Sequence, residues 1–162
     1  MGDSIYVKTG EMAVGGKNLS IQTGGVGSCL VICLFDKEAQ IGGMAHAMLP
    51  HSPEDRDEKP SRYREGEGSA RFVDDAIDYL MEELIGMGAD KKNLKAKLIG
   101  GAKMFAILSK DRQSIGERNV IAAREKFEQL SIPIVKEDVG GTVGRSIDFT
   151  IANSVVDVLK RV

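Results

Sequence analysis

Short apolar segments separated by polar turns run along most of the chain and predict β-strands. The segment 28–35 is a continuous apolar run that follows a glycine-rich corner at 24–27, which indicates a buried strand. The segment 40–49 comes after a polar turn at 36–39 and predicts the returning strand of a hairpin. Further strands are expected at 4–9, 18–23, 94–99, 134–139, 146–151 and 155–159.

Two longer segments carry apolar residues at the spacing of an α-helix. The first runs from Ser69 to about Met87, with Gly88 placed to cap its C-terminus. In the second, Ser114 and Glu117 form a capping box that predicts the helix start. The expected buried stripes contain Val73, Ile77, Leu80, Met81 and Leu84 in the first helix and Val120, Ala123, Phe127 and Leu130 in the second.

The order of these elements predicts one mixed α+β domain over residues 1–162. Strand hairpins with two inserted helices differ from the regular alternation of a parallel α/β fold, so antiparallel pairs are expected. The polar segment 50–68 contains three of the four prolines and predicts a long loop, a candidate lid or recognition surface.

Composition removes several classes of function. The formal net charge of −2 gives no electrostatic reason to expect nucleic acid or an acidic membrane as partner. No apolar run is long enough to span a bilayer, and the first residues lack the pattern of an export signal. The chain has only two cysteines, and they lie four residues apart on one predicted strand, so a disulfide is not expected. We therefore expect a reduced, cytoplasmic protein.

Candidate chemistry centres on Cys29, which follows the glycine corner at the start of a buried strand. Such a corner leaves backbone N–H groups near Gly27 and Ser28 free to bind a developing oxyanion. A turn at 36–39 would pair Cys29 with His46 across the hairpin, and an adjacent imidazole lowers the pKa of a thiol. Thr23, at the end of the preceding strand, can hold the far ring nitrogen and fix the tautomer.

Other interpretations compete for the same residues. Cys33 lies inside the apolar run and is expected to be core packing, which is also the ordinary role of a lone buried cysteine. The spacing of Cys29, Cys33, His46 and His51 matches a zinc finger, but a single strand would hold the two thiols too far apart for one ion. His51 is expected to be solvated.

Two glycine pairs, Gly100-Gly101 and Gly140-Gly141, resemble part of a phosphate-binding loop, but neither completes such a motif. Tight turns at strand ends are expected at both. The segment 101–105 after the first pair could place Met104 and Phe105 at the rim of the active site as exposed apolar contacts.

Five stretches resemble the CheD family of chemoreceptor glutamine deamidases, in order and spacing, over nearly the whole chain. They are TGGVGSCLVICLFD (23–36), GGMAHAMLP (42–50), AKLIGGAKMF (96–105), IGERNV (115–120) and IPIVKEDVGGTVGRSIDF (132–149). The family's catalytic Cys, His and Thr fall on Cys29, His46 and Thr23. The resemblance implies a layered α/β/β/α fold, similar to the catalytic domain of cytotoxic necrotizing factor toxins.

The resemblance also implies a reaction and partners. The expected activity is deamidation of glutamine side chains in methyl-accepting chemoreceptors, with no metal or cofactor, and the expected regulator is the phosphatase CheC. Two rival functions remain open. The chain could be a binding module for CheC or receptors with an incidental thiol, or a methylesterase of receptor glutamyl esters, since a thiol–imidazole pair attacks esters as readily as amides.

Overall fold

The computed structural model describes residues 2–53, 70–104 and 113–161, which form two stacked β-sheets with helices on one side. Two α-helices lie in these ranges, α1 (Val73–Gly86) and α2 (Ile115–Leu130), together with a 3₁₀ turn at Lys91–Asn93. None of the helices in the described ranges is long and apolar enough to cross a membrane. The strands are β1 (Asp3–Tyr6), β2 (Met12–Gly16), β3 (Leu19–Val26), β4 (Leu30–Asp36), β5 (Ile41–Ala47), β6 (Leu94–Gly100), β7 (Ile134–Val139), β8 (Gly144–Thr150) and β9 (Val155–Arg161).

Both sheets are mixed. The four-stranded sheet has the order β1-β3-β8-β9, and the five-stranded sheet has the order β2-β5-β4-β6-β7. The pairs β1–β3 and β6–β7 are parallel, while the other pairs, including the expected β4–β5 hairpin, are antiparallel. Strand β2 was not predicted, because its MAVGG sequence has a glycine pair that weakens the strand signal.

Burial of β4 on both faces creates two hydrophobic cores. Ile32 and Leu34 point towards the helices, while Val31, Cys33 and Phe35 point towards the four-stranded sheet. This explains the continuous apolar run, because a strand covered on both sides has no polar face. The buried stripes of α1 and α2 complete the first core.

The mixed α+β class is confirmed, while the expected α/β/β/α layering stays a prediction, because the described ranges show helices on one side only. Both described helices cover the same face of the five-stranded sheet, because the apolar stripes of α1 and α2 share one core with β4, β5 and β6. The described ranges therefore form three layers: helices, five-stranded sheet, four-stranded sheet.

The register of the β4–β5 hairpin differs from the predicted one by two residues. His46 pairs with Val31, not with Cys29. The connecting turn spans four residues, 37–40, with Gln40 in the left-handed region at φ 55°, so Asp36 pairs with Ile41. Since side chains alternate between faces with a period of two, this even shift leaves Cys29 on the same face as His46.

The helix starts were predicted with unequal success. Ser114 caps α2 as expected, with its hydroxyl accepting a hydrogen bond from the N–H of Glu117 at 3.2 Å. The predicted start of α1 at Ser69 is wrong, because the helix begins at Val73 after an extended Phe72 that makes no side-chain cap. Most of the predicted 50–68 loop, from residue 54 onward, lies outside the described residues.

Candidate active site

The stacking of the two sheets brings Thr23 of β3 against His46 of β5. Thr23 Oγ1 lies 2.8 Å from His46 Nδ1 and also donates a hydrogen bond to the carbonyl of Val7 at 2.7 Å. A hydroxyl has one hydrogen, and here Val7 receives it, so Thr23 accepts a hydrogen bond from His46 Nδ1–H. The neutral imidazole therefore carries its proton on Nδ1 and leaves Nε2 with a free lone pair.

Burial keeps His46 neutral. The side chain is only 1% exposed, and this burial lowers the pKa of His46 to about 4. Nε2 has no hydrogen-bond partner among the described residues. The ring is therefore an unprotonated base at neutral pH, and its accepting nitrogen is buried without a partner in the described ranges.

Cys29 lies just before β4, on the face that His46 shares, and it is half-buried. The two residues are diagonal neighbours on that face rather than a directly opposed pair. Burial raises the pKa of the Cys29 thiol, although its own backbone N–H acts in the opposite direction. The expectation that the imidazole would lower the thiol pKa is therefore wrong for this resting state, since both groups are neutral and not hydrogen-bonded to each other.

The backbone around Cys29 is held by its carbonyl groups. The carbonyls of Gly27, Ser28 and Cys29 accept hydrogen bonds from Ala102 N–H at 2.9 Å, Asn119 Nδ2 at 2.9 Å and Gly101 N–H at 2.8 Å, respectively. The N–H groups of Ser28 and Cys29 donate to no backbone carbonyl within the described ranges. Three successive peptides are thus fixed through their carbonyls, while the N–H groups of Ser28 and Cys29 have no backbone acceptor in the described ranges.

The glycine pair at the end of β6 supports Cys29. Gly100 and Gly101 have φ values of 115° and 63°, in the region that favours glycine. A Cβ at Gly100 would lie 2.5 Å from the carbonyl oxygen of Cys29, so only glycine lets the two backbones approach this closely. Gly140, from the second predicted turn, donates its N–H to the Gly100 carbonyl at 2.9 Å.

The expected apolar rim is represented by Met104. Its side chain lies against Gly27, within 3.1 Å of where a Cβ would be, and is 43% exposed. Phe105, the other expected rim residue, lies outside the described residues.

An open groove of about 710 Å³ lies elsewhere, on the outer face of the four-stranded sheet. Thr23 and Gly24 contribute to its lining, but Cys29 and His46 do not. Because Thr23 turns its hydroxyl inward to His46, the groove and the thiol–imidazole pair lie on opposite faces of β3.

The four residues whose spacing matches a zinc finger do not form a metal site in the described ranges. Cys33 is fully buried between the sheets, and burial raises the pKa of its thiol more than nearby Lys97 lowers it. Exposed His51 lies 3.4 Å from Asp74. Both cysteines are free thiols, and the described ranges contain no group of three side chains that could hold a metal ion.

One polar residue at the site was not predicted from the sequence. Asn119 of α2 is fully buried, and its Nδ2 donates to the carbonyls of Ser28 and Met48 at 2.9 and 3.0 Å. It lies one turn before Ala123 on the buried face of α2. A lone carboxamide among apolar residues on such a face was the available signal, since buried polar groups need partners.

Known proteins are similar to this chain over most of its length. A family described as CheD chemotactic sensory transduction matches residues 48–160. A protein of Halalkalibacterium halodurans named chemoreceptor glutamine deamidase CheD is 41% identical over 150 residues, 92% of this chain and 88% of the relative. A probable chemoreceptor glutamine deamidase CheD of Pyrococcus abyssi is 38% identical over 96% of this chain and 91% of the relative. A protein of Geobacter metallireducens named probable chemoreceptor glutamine deamidase CheD 2 is 41% identical over 98% of this chain and 94% of the relative.

Proposed function

The chain belongs to the CheD family, and we therefore propose that it is a chemoreceptor glutamine deamidase that uses Cys29 as its nucleophile. Its substrates are glutamine side chains of methyl-accepting chemoreceptors, which it converts to glutamate with release of ammonia. The observation that carries this proposal is the fixed tautomer of His46, whose unpartnered Nε2 belongs to the face that Cys29 shares.

The reaction begins with two neutral groups. Cys29 Sγ attacks the side-chain carbonyl carbon of glutamine, and the thiol proton passes to His46 Nε2 as the carbon–sulfur bond forms. Proton transfer during attack suits this site, because burial raises the thiol pKa and lowers the imidazole pKa. Neither group therefore needs to be charged before substrate binds.

The negative charge then moves to the former carbonyl oxygen. The N–H groups of Ser28 and Cys29, which have no backbone acceptor among the described residues, are the proposed oxyanion donors. Each such donor is typically worth about 3 kcal/mol of barrier. The space left by the missing side chain at Gly27 is taken by Met104, which would place this apolar side chain beside the bound substrate.

The tetrahedral intermediate collapses with cleavage of the carbon–nitrogen bond. The imidazolium of His46 returns its proton from Nε2 to the departing nitrogen, so ammonia leaves and a thioester to Cys29 remains. A water molecule, deprotonated by His46 Nε2, attacks the thioester and releases glutamate and the thiol. Burial that lowers the pKa of His46 makes the imidazolium a strong proton donor for this step.

Mass spectrometry of a receptor cytoplasmic fragment tests the proposal directly. Conversion of one glutamine to glutamate adds about one dalton, because an amide is replaced by an acid. We expect this shift and release of ammonia with the wild-type chain, and neither with Cys29→Ala. Undiminished conversion by a folded Cys29→Ala variant would remove Cys29 from the mechanism.

The same experiment distinguishes the rival functions. A binding module would retain the receptor fragment without any mass change, in both wild type and variant. A methylesterase would hydrolyse a glutamyl methyl ester of the fragment and leave the amide intact. The proposed deamidase must act on the amide.

Three further expectations belong to this proposal. The resemblance supports CheC as a protein regulator that binds the chain. The chemoreceptor substrate and the two free thiols support a cytoplasmic location. The two stacked sheets support a relation to the catalytic domain of cytotoxic necrotizing factor toxins, for which an outer helical layer on the four-stranded sheet would be the remaining element.

A further inference from the structure

Asn119 joins the two strand ends that carry the proposed nucleophile and base. It is fully buried in α2, and both protons of its carboxamide are used, one on the Ser28 carbonyl and one on the Met48 carbonyl. Ser28 directly precedes Cys29, and Met48 follows His46 by two residues. The described residues contain no other side chain that donates to the carbonyls of Gly27, Ser28 or Cys29.

The Ser28 carbonyl and the Cys29 N–H belong to one peptide group. A peptide is planar and trans, so its carbonyl and its N–H point in opposite directions. Holding the Ser28 oxygen from the side of α2 therefore fixes the direction of the Cys29 N–H. The neighbouring peptides are held in the same way by Ala102 and Gly101, but through backbone donors that any residue could supply.

The hydrogen bond to the Ser28 carbonyl also polarises the peptide that contains the Cys29 N–H. Hydrogen bonds in a chain strengthen one another where water is excluded, and Asn119 is fully buried. The Cys29 N–H becomes a stronger donor as a result. The Oδ1 atom of Asn119 has no partner within the described ranges, which leaves donation by Nδ2 as the identified contribution of this side chain.

We propose that Asn119 is a positioning residue of the deamidase, which orients the Cys29 N–H towards the oxyanion and holds the Cys29 and His46 strand ends together. The proposal rests on the function proposed above, because it assigns Asn119 a role in stabilising the same intermediate. Asn119 does not touch the substrate. It acts through the Ser28–Cys29 peptide and the Met48 carbonyl.

The role is tested with two variants, Asn119→Asp and Asn119→Ala. The control is Phe127→Leu, a core variant two turns further along α2. In Asn119→Asp the shape is kept but the two N–H donors are lost, because an ionised carboxyl group donates no hydrogen bond and a protonated one donates only one. We expect kcat for receptor-fragment deamidation to fall about 10- to 100-fold in both Asn119 variants, while KM changes by less than about threefold. Phe127→Leu should lower Tm without this loss of kcat.

Two further readouts distinguish positioning from general damage. Alkylation of Cys29 by iodoacetamide forms no oxyanion on a carbonyl, so its rate should stay within about threefold of wild type in the Asn119 variants. The ¹⁵N resonances of Cys29 and Leu49 should move, since each shares a peptide with a carbonyl that Asn119 binds. A loss of alkylation equal to the loss of kcat would overturn the proposal in favour of a structural role.

Folded Asn119 variants with wild-type kcat would also overturn the proposal, and would leave the proposed function standing if Cys29→Ala is inactive. An active Cys29→Ala variant would instead remove the proposed function itself. If neither Asn119 variant folds, the wild-type chain still gives an answer. The Asn119 side-chain amide should exchange its protons far more slowly than the amide of Asn93, and equal rates would contradict the bridging geometry.

Discussion

Thr23 and His46 belong to different sheets, and their side chains meet at 2.8 Å between Oγ1 and Nδ1. Because the Thr23 hydroxyl donates to the Val7 carbonyl, it can only accept from the imidazole. The contact between the sheets thus decides which nitrogen of His46 carries the proton. It presents Nε2 as the proton acceptor that a thiol nucleophile requires.

Replacing Thr23 with valine should lower kcat while the shape of the core is kept. His46 Nδ1–H would lose its buried acceptor, which costs about 1–3 kcal/mol and corresponds to about 5- to 150-fold in rate if the other tautomer takes over. Steady-state deamidation of a receptor fragment measures this. Thr23→Ser keeps the hydroxyl and should stay close to wild type, and an unchanged kcat in Thr23→Val would show that the tautomer is set elsewhere.

The stability of the protein should decrease as the pH falls from about 6.5 to about 4. Burial lowers the pKa of His46 to about 4, so the unfolded chain binds this proton more readily than the folded chain does. The stabilising contribution of His46 is complete at pH values above its pKa in the unfolded chain. It is lost as the pH falls from that value through the pKa of His46 in the folded chain. Between pH 7.5 and pH 5 the expected loss from this residue is about 2 kcal/mol.

Urea unfolding of wild type and His46→Gln at these two pH values isolates the effect. Other groups titrate in both proteins, so the quantity of interest is the difference between their pH dependences. We expect the wild type to lose more stability than the variant. Equal losses would mean that His46 is not held neutral by its surroundings.

Gly100→Ala should impair both folding and catalysis. The backbone of Gly100 has a φ of 115°, and a Cβ there would lie 2.5 Å from the Cys29 carbonyl and 2.7 Å from Val26 Cγ1. Gly88 offers a matched control, since its φ is 110° but the nearest atom to a Cβ is Ile41 Cδ1 at 3.9 Å. Gly88→Ala should therefore cost only the strain of about 1–2 kcal/mol.

Tm and kcat of the two glycine variants give the comparison. Gly100→Ala should have the lower Tm of the two and, in the fraction that folds, a reduced kcat, because Cys29 must move to accommodate the added methyl group. Gly88→Ala should keep wild-type kcat. Identical behaviour of the two variants would mean that the approach of Gly100 to Cys29 does not matter for the site.

Cys33→Ser should reduce the stability of the fold and leave the deamidation activity unchanged. Cys33 is fully buried between the sheets, so a hydroxyl there is expected to cost about 1–3 kcal/mol if it finds no partner. Chemical denaturation and ammonia release measure the two effects separately. A folded Cys33→Ser variant as inactive as Cys29→Ala would contradict the assignment of Cys33 to core packing.

The alternation of side chains along β4 and β5 was enough to place Cys29 and His46 on one face. The predicted register was wrong by two residues, because the four-residue turn with its left-handed Gln40 could not be recognised from the polar segment alone. The prediction of a shared face survived because a shift of two residues does not change the face. Ser114 and the apolar stripe of α2 were likewise local patterns, readable without the rest of the fold.

The start of α1 and strand β2 were not predicted, because their signals are not local. Phe72 makes no side-chain cap, and β2 gains its hydrogen bonds at the edge of the five-stranded sheet beside β5. Tertiary contacts override weak intrinsic preference at such positions. The layering of both helices on one sheet is equally a property of the packed molecule.

By itself, the sequence determined which residues could carry the chemistry, since it offers few thiols and imidazoles and a single glycine corner before Cys29. Only the tertiary structure decided how those residues are held: the tautomer of His46, the neutral state of the thiol and the hydrogen bonds from Asn119. The physical reason is that periodicity and spacing act between near neighbours in the chain. Desolvation and hydrogen bonds at the site arise between β3, β5, β6 and α2, which meet only when the sheets and helices pack.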